Sequence, residues 1–344
     1  LSCLENVGGE VNAFTSKEET CIQAAFMRGY LSRALDLISD ILLNSVFPIN
    51  EIEKEKKVII DEINYVKDNP SDYIFDEFDS LLFPNSRLGR NILGIPEKIN
   101  NYNRDHIIDF INRNYVPENI VISVVGNYTT SKLFSEIERY FNHYPIRNKC
   151  NNREKPEIAK PFKIESKKNI LQSHCVLGVS GYCYYNNKRY ALHLLNNIIG
   201  GPTMNSRLSM ILREKYGYSY NVESSYVSYC DTGIFSVYFS SDASNISKCI
   251  ELVSRQFDEL KNNHLSSIKL NRAKKQLIGQ LCINAENNEN IMLTIGKSVL
   301  TYDRVEPLSE VIRKVEQISA NEILEVANEI LDYNKMSVLI YRNK

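Results

Sequence analysis

Two stretches of this chain, more than two hundred residues apart, follow the same order of elements, and that order limits the fold to two copies of one domain. In the first stretch, residues 10–15 and 20–26 read as a strand pair. Residues 31–45 carry the spacing of an amphipathic helix, and after Pro48 a charged helix runs over about 50–67. In the second, residues 218–229 and 233–240 alternate about Asp231-Thr232-Gly233, and residues 246–261 and 267–286 read as helices. Sequence offsets agree: Leu37-Ile38-Ser39 matches Leu252-Val253-Ser254 at 215, and the run from Lys56 to Ile63 lines up with Lys274 to Leu281 at 218. Two copies with a long period indicate duplication and not a solenoid. Further strands over 120–126, 171–180 and 336–341 would complete the sheets. Hairpins outnumber strand-helix-strand units, which predicts an α+β fold of two homologous domains, each a mostly antiparallel sheet packed with helices. Pro145, Pro156 and Pro161 stand among polar residues, so we place a linker at 151–162 between domains spanning 1–150 and 163–344. A length of 344 residues suits two domains.

Composition removes several classes of function. With 41 basic and 42 acidic side chains the net charge is −1, so charge gives no sign of nucleic-acid or anionic-membrane binding. No apolar run approaches the ~18 residues that a transmembrane segment needs. The eight cysteines form no C-x-x-C pair and read as free thiols of a reducing compartment, which predicts a cytoplasmic location. The five histidines include no pair at i, i+3 or i, i+4, so no helix offers two imidazoles to one metal. The chain opens at Leu1, in what reads as a helix stopped by Gly8-Gly9. We therefore expect further chain upstream, where a targeting signal would also lie.

Three places could carry chemistry. On the charged helix, Glu62 has Val58 and Ile59 behind it and Tyr65 and Val66 ahead, which puts a carboxylate within an apolar stripe. Facing a core, such an acid needs a cation or a metal; at the stripe's edge it simply reaches water or a lysine. The aligned residue in the second copy is Gln280. The glycine pair Gly8-Gly9 precedes a short strand containing Asn12 and Ala13, either an ordinary strand after a helix cap or an open edge for an extended peptide. In the second half Arg213 ends a helix before Gly217, and Tyr220 lies in the strand that follows. The pair could hold a carbonyl or steady an oxyanion, or be a surface arginine and a hairpin tyrosine. Gly200-Gly201-Pro202-Thr203 lacks the phosphate-loop pattern and reads as a flexible connection. The charge runs 54–57 and 272–275 read as solvated helix faces.

Taken together, the run from Leu4 to Thr20, the segment from Glu53 to Glu62 and Leu88-Gly89-Arg90-Asn91-Ile92-Leu93-Gly94 resemble the pitrilysin/insulysin metallopeptidases, nearest to the branch of mitochondrial processing peptidase and its bacterial relatives. Residues 204–208, 213–220 and 231–233 extend the resemblance over nearly the whole chain. It implies a Zn2+ cofactor, a peptide substrate, and assembly as a homodimer or with a related partner subunit. In that family an inverted motif, H-x-x-E-H, supplies two ligands and the general base, and a later glutamate supplies the third ligand. Glu62 matches the later glutamate. Asn12 and Ala13 match the strand that binds substrate backbone, Glu19 an acidic position beside the site, and Arg213 and Tyr220 the second-domain pair that helps bind substrate and steady the tetrahedral intermediate.

The departure is that H-x-x-E-H occurs nowhere in these 344 residues. In relatives it lies shortly before the segment matched by Glu5-Asn6-Val7-Gly8, which assigns it to the expected upstream portion. The resemblance thus implies a zinc endopeptidase subunit that is incomplete and inactive as given. The alternative is a noncatalytic scaffold or partner subunit of a processing-peptidase-like complex.

Overall fold

The computed structural model describes residues 2–142 and 153–343; His143, Cys150 and the first two residues of the expected linker lie outside the described residues. Along the chain the elements are α1 (Ser2–Glu5), β1 (Glu10–Thr15), β2 (Thr20–Ala25), α2 (Leu31–Leu43), α3 (Ile49–Asp68), α4 (Pro70–Leu82), α5 (Pro96–Asn101), α6 (Arg104–Asn114) and α7 (Thr130–Phe141). Then follow β3 (Lys163–Lys168), β4 (Ser173–Gly181), α8 (Arg189–Gly200), a π-helical segment (Ser209–Lys215), β5 (Val222–Ser228) and β6 (Gly233–Ser241). The chain ends in α9 (Ile246–Asn262), α10 (Ser267–Asn284), α11 (Asn288–Tyr302), α12 (Leu308–Gln317), α13 (Ala320–Ile330) and β7 (Ser337–Asn343). The repeated order is present: the hairpin β1–β2 with α2 and α3 has its counterpart in β5–β6 with α9 and α10. Contacts gather the chain into two units. One comprises Leu1–Ile63, Ile92–Arg153 and Asn284–Glu306; the other comprises Asn64–Asn91, Glu154–Ile283 and Pro307–Lys344.

The second unit is built on a five-stranded sheet of order β3-β7-β4-β6-β5, in which only the β3–β7 pair is parallel. Side chains alternate across a strand, and here both faces are covered. Leu177, Phe235, Val237, Phe239, Val338 and Ile340 join one core with residues of α8, α9 and α13. Their neighbours Val176, Tyr238, Leu339 and Tyr341 join another with Ile74, Phe78 and Leu82 of α4. The spacing of those three residues by four gives α4 one apolar face, and Pro70 sits in its first turn, where no amide donor is lost. Gly178 of β4 is required by this docking, because a Cβ there would lie 2.8 Å from Phe78 Cζ and 2.9 Å from the Phe235 carbonyl oxygen. β6 is buried along its whole length, Ser236, Ser240 and Ser241 included.

In the first unit β1 and β2 form a two-stranded antiparallel sheet. The glycine pair serves the turn from α1 into β1: Gly8 has a φ of +75°, and the Gly9 amide donates to the Leu4 carbonyl at 3.0 Å. A Cβ on Gly9 would meet Leu4 Cγ at 2.7 Å. α2 buries Leu31, Ala34 and Leu35. α11 is tied to the unit by polar contacts, with Gln23 Nε2 donating to Glu289 at 2.7 Å and Ser123 Oγ to the Met292 carbonyl at 2.8 Å.

Two strands differ from expectation. Residues 120–126 form no strand and enter no ladder; the described neighbour of Ser123 is α11, a helix that offers no strand edge. The strand expected from Tyr218 begins at Val222, because the amides of Tyr218 and Ser219 both donate to the Leu212 carbonyl, at 2.8 and 3.2 Å, and close the preceding helical segment instead. The seven described cysteines are free thiols.

Candidate functional site

β1 pairs with β2 from Glu10 opposite Ala25 to Thr15 opposite Thr20, and no other strand among the described residues joins its second edge. A strand so placed keeps unpaired backbone donors and acceptors along one side. Asn12 and Ala13 are both exposed, and Asn12 Oδ1 accepts the Ala13 amide at 2.8 Å. The hairpin is closed by Ser16, whose amide donates to the Glu19 carbonyl at 2.8 Å and whose hydroxyl accepts the Glu18 and Glu19 amides. This turn directs Glu19 toward α11, where Lys297 Nζ lies 2.8 Å from its carboxylate. Burial pushes the nearby Cys21 thiol up, and the charges of Glu19 and Glu289 push it further.

Glu62 lies in α3, and its surroundings decide its setting. Only Ile63 of that helix is fully buried; Glu62 itself is exposed, with Val58 57% and Tyr65 73% exposed beside it. The apolar spacing does group these side chains, but on a face turned to solvent, so the carboxylate is hydrated and needs no partner for stability. Of the two settings that the stripe allows, this is the one in which the acid reaches water, so burial gives no argument for a metal. Its counterpart in the repeat, Gln280, is part-buried and accepts a hydrogen bond from Asn197 Nδ2. That bond belongs to an amide cluster in which Gln276 Nε2 donates to Asn197 Oδ1 and to Thr203 Oγ1, and Asn205 Nδ2 donates to Gln276 Oε1. The sequence shows only the Gln276–Gln280 spacing on α10; that Asn197 of α8 and Thr203 and Asn205 of the turn after it meet these two follows from tertiary packing, which no local spacing reveals.

Arg213 and Tyr220 do come together. The π-helical segment carries Arg213 in its last turn, and Gly217, with φ +63° and its amide on the Arg213 carbonyl at 3.1 Å, reverses the chain. The Arg213 guanidinium then lies 4.6 Å from the Tyr220 ring centroid, a cation–π contact. Tyr220 is 78% exposed and sits two residues before β5, not within it. The stacked pair presents guanidinium donors and a phenol hydroxyl at the surface of its own unit, a combination able to receive a carbonyl or carboxylate oxygen.

The α+β fold with a duplicated hairpin-helix-helix order defines a class of two-copy proteins, and known proteins share it. The insulinase family, peptidase family M16, matches residues 1–95, and the peptidase M16 inactive domain matches residues 101–277. An uncharacterized zinc protease of Bacillus subtilis, YmxG, is 32% identical over 336 residues, covering 98% of this chain and 81% of the relative. One from Rickettsia felis is 31% identical, covering 98% and 82%. Among solved structures, a peptidase M16 inactive domain from Pseudomonas fluorescens superposes with a TM-score of 0.91 at 20% identity, covering 99% of this chain and 82% of that one. A chain of complex III2 from Candida albicans gives 0.86 at 19%, covering 97% and 82%. The chain belongs to peptidase family M16, the pitrilysin/insulysin metallopeptidases.

The residues present do not by themselves fit a zinc ion. Zinc takes three protein ligands in a catalytic site. Here H-x-x-E-H is absent, and no group of three or more His, Cys, Asp or Glu side chains converges among the described residues. No helix among the described residues is long and apolar enough to cross a membrane.

Proposed function

We propose that this chain is the substrate-binding body of a zinc endopeptidase subunit acting on peptides or unfolded segments, organised as two homologous copies along the sequence, 1–150 and 163–344. The observation that carries the reading is the free edge of β1, where Asn12 and Ala13 are exposed on a strand with a single ladder partner. An extended peptide adds to such an edge through main-chain hydrogen bonds and needs no particular sequence. Glu62 is the metal ligand that this chain would contribute, and its solvent-facing carboxylate is accessible for that role. Two imidazoles and a general base are required besides, and the H-x-x-E-H motif that would supply them does not occur in these 344 residues. Glu19 is proposed to lie beside the bound peptide, and Arg213 and Tyr220 to contact the scissile carbonyl. The named activity of the relatives supports the peptidase reading over a purely structural one; one structural neighbour is a chain of a larger complex, and assembly with a second copy or a related subunit belongs to the same proposal.

The test uses the product of the full reading frame with an unstructured peptide. Loss of a single oxyanion donor costs roughly a hundredfold in turnover. Tyr220→Phe should therefore lower kcat by about that factor while leaving zinc content and thermal stability unchanged, and Arg213→Ala should weaken both binding and turnover. Wild-type turnover in Tyr220→Phe removes the assigned role. Absence of any cleavage by a zinc-loaded parent favours a noncatalytic partner subunit.

A further inference from the structure

Within the second unit, a pocket of about 190 Å³ opens between α10 and the turn that follows α8. Lys269, Arg272 and Gln276 line it from α10, at spacings of three and four that put them on one helix face. Asn205 lines it from the turn and Arg207 from the helical residues that lead into the π-helical segment, and Ile198, Leu265 and Ala273 add apolar surface. None of these residues has a place in the proposed peptide chemistry.

The cations are underused. Arg207 is partly buried, and its only bonds among the described residues run from Nη1 to Glu259 at 3.3 Å and to Gln256 at 3.4 Å. Its Nε and Nη2 have no partner among the described residues. A guanidinium carries five donors, so most of its capacity is unspent. Burial pushes the guanidinium down from its usual range, and Glu259 pulls it back only in part. The Lys269 ammonium and the Arg272 guanidinium have no ion-pair partner among the described residues. Three cations against the one carboxylate leave about two net positive charges at the pocket. The polar wall is held in place, since Asn205 and Gln276 are bonded to each other at 3.1 Å and Gln276 continues to Thr203 at 2.8 Å. Donors fixed in advance bind an anion without the cost of ordering them.

We propose that this pocket is a binding site for a phosphate group, free or at the end of a small organic phosphate, held by Arg207, Lys269 and Arg272. Phosphate carries between about one and a half and two negative charges near pH 7, which matches the charge excess, whereas a lone carboxylate leaves half of it unanswered. The volume holds a phosphate with a short organic remainder and is below that of drug-sized ligand sites. Ligand bound there would bridge the turn after α8 to α10.

The experiment is isothermal titration of the 344-residue chain with sodium phosphate at constant ionic strength, with acetate as the control anion and glycerol 3-phosphate as the ester. Saturable one-site binding of phosphate is expected, with acetate giving none. Arg272→Ala and Lys269→Ala change exposed side chains, so circular dichroism should be unaltered. Each should weaken phosphate by about tenfold or more, the usual loss for a charge-assisted bond. Tighter binding of glycerol 3-phosphate identifies an organic phosphate as the occupant, and equal binding identifies phosphate alone; both agree with the proposal. Absence of saturable phosphate binding, equal binding of acetate, or affinity unchanged in both variants overturns it.

Discussion

Replacing Gly178 by alanine, alone and together with Phe78→Leu, tests whether α4 docks on the five-stranded sheet as described. Phe78 is fully buried, and its ring edge occupies the space that a Cβ at position 178 would need. Gly178→Ala alone forces that ring and the Phe235 carbonyl, contacts of 2.8 and 2.9 Å, to give way. Overpacking of this kind costs about 1–3 kcal/mol. Phe78→Leu removes three ring carbons, including Cζ, and at ~0.8 kcal/mol per buried carbon costs about 2 kcal/mol. In the double variant the new methyl enters space the ring has left, so the two close contacts with the ring, to Cζ and Cε1, disappear while the one with the Phe235 carbonyl persists. The double variant should therefore be more stable than the sum of the singles by about 1 kcal/mol, within the usual range for touching residues. Because the chain has two units, a single melting curve does not isolate this effect. Hydrogen exchange of the peptide covering Ser173–Gly181 reads the opening free energy of β4 directly. Additivity within about 0.5 kcal/mol would refute the packing of Phe78 against Gly178.

Further outcomes follow from other residues. One exposed carboxylate without imidazoles gives at most a weak site, so the 344-residue chain should purify without tightly held metal, and equimolar zinc after dialysis, measured by elemental analysis, would contradict the donor set described. His174 is buried with Nδ1 2.8 Å from the Tyr238 hydroxyl, and burial holds its pKa below the ordinary value. The unfolded chain then binds the proton first, so the stability contribution is present above pH ~6.5 and is lost as pH falls from there through the folded value. His174→Gln should flatten that acid slope in pH-dependent exchange of β4, and an unchanged slope would remove His174 as its source.

Much of the fold was legible because the apolar spacing is strong where burial is strong. β6 and α9 were read within two residues, and both contribute to one continuous core. The readings that failed were those where spacing does not say which face turns inward or which backbone group pairs. Residues 120–126 have a strand's composition but lie beside a helix, and the amides of Tyr218 and Ser219 are taken by Leu212 before the ladder begins. At the candidate site, Arg213 and Tyr220 were found as a pair because a glycine-reversed corner forces residues seven apart together. For Glu62 the spacing left two settings open, facing a core or reaching water at the stripe's edge, since a period of 3.6 fixes grouping and not orientation, and the structure shows the second. Arg207 went unnoticed because its importance lies in the partners it lacks, which only a structure lists.

Whether this chain supplies one zinc ligand and the peptide-binding body of an endopeptidase is decided by Glu62→Gln in the product of the full reading frame. Zinc content and cleavage of an unstructured peptide are measured on the same preparation. The parent should hold zinc and cleave, and Glu62→Gln should lose both together while its circular dichroism is unchanged, because an exposed side chain has been altered. Full zinc occupancy with unchanged turnover in Glu62→Gln would contradict it.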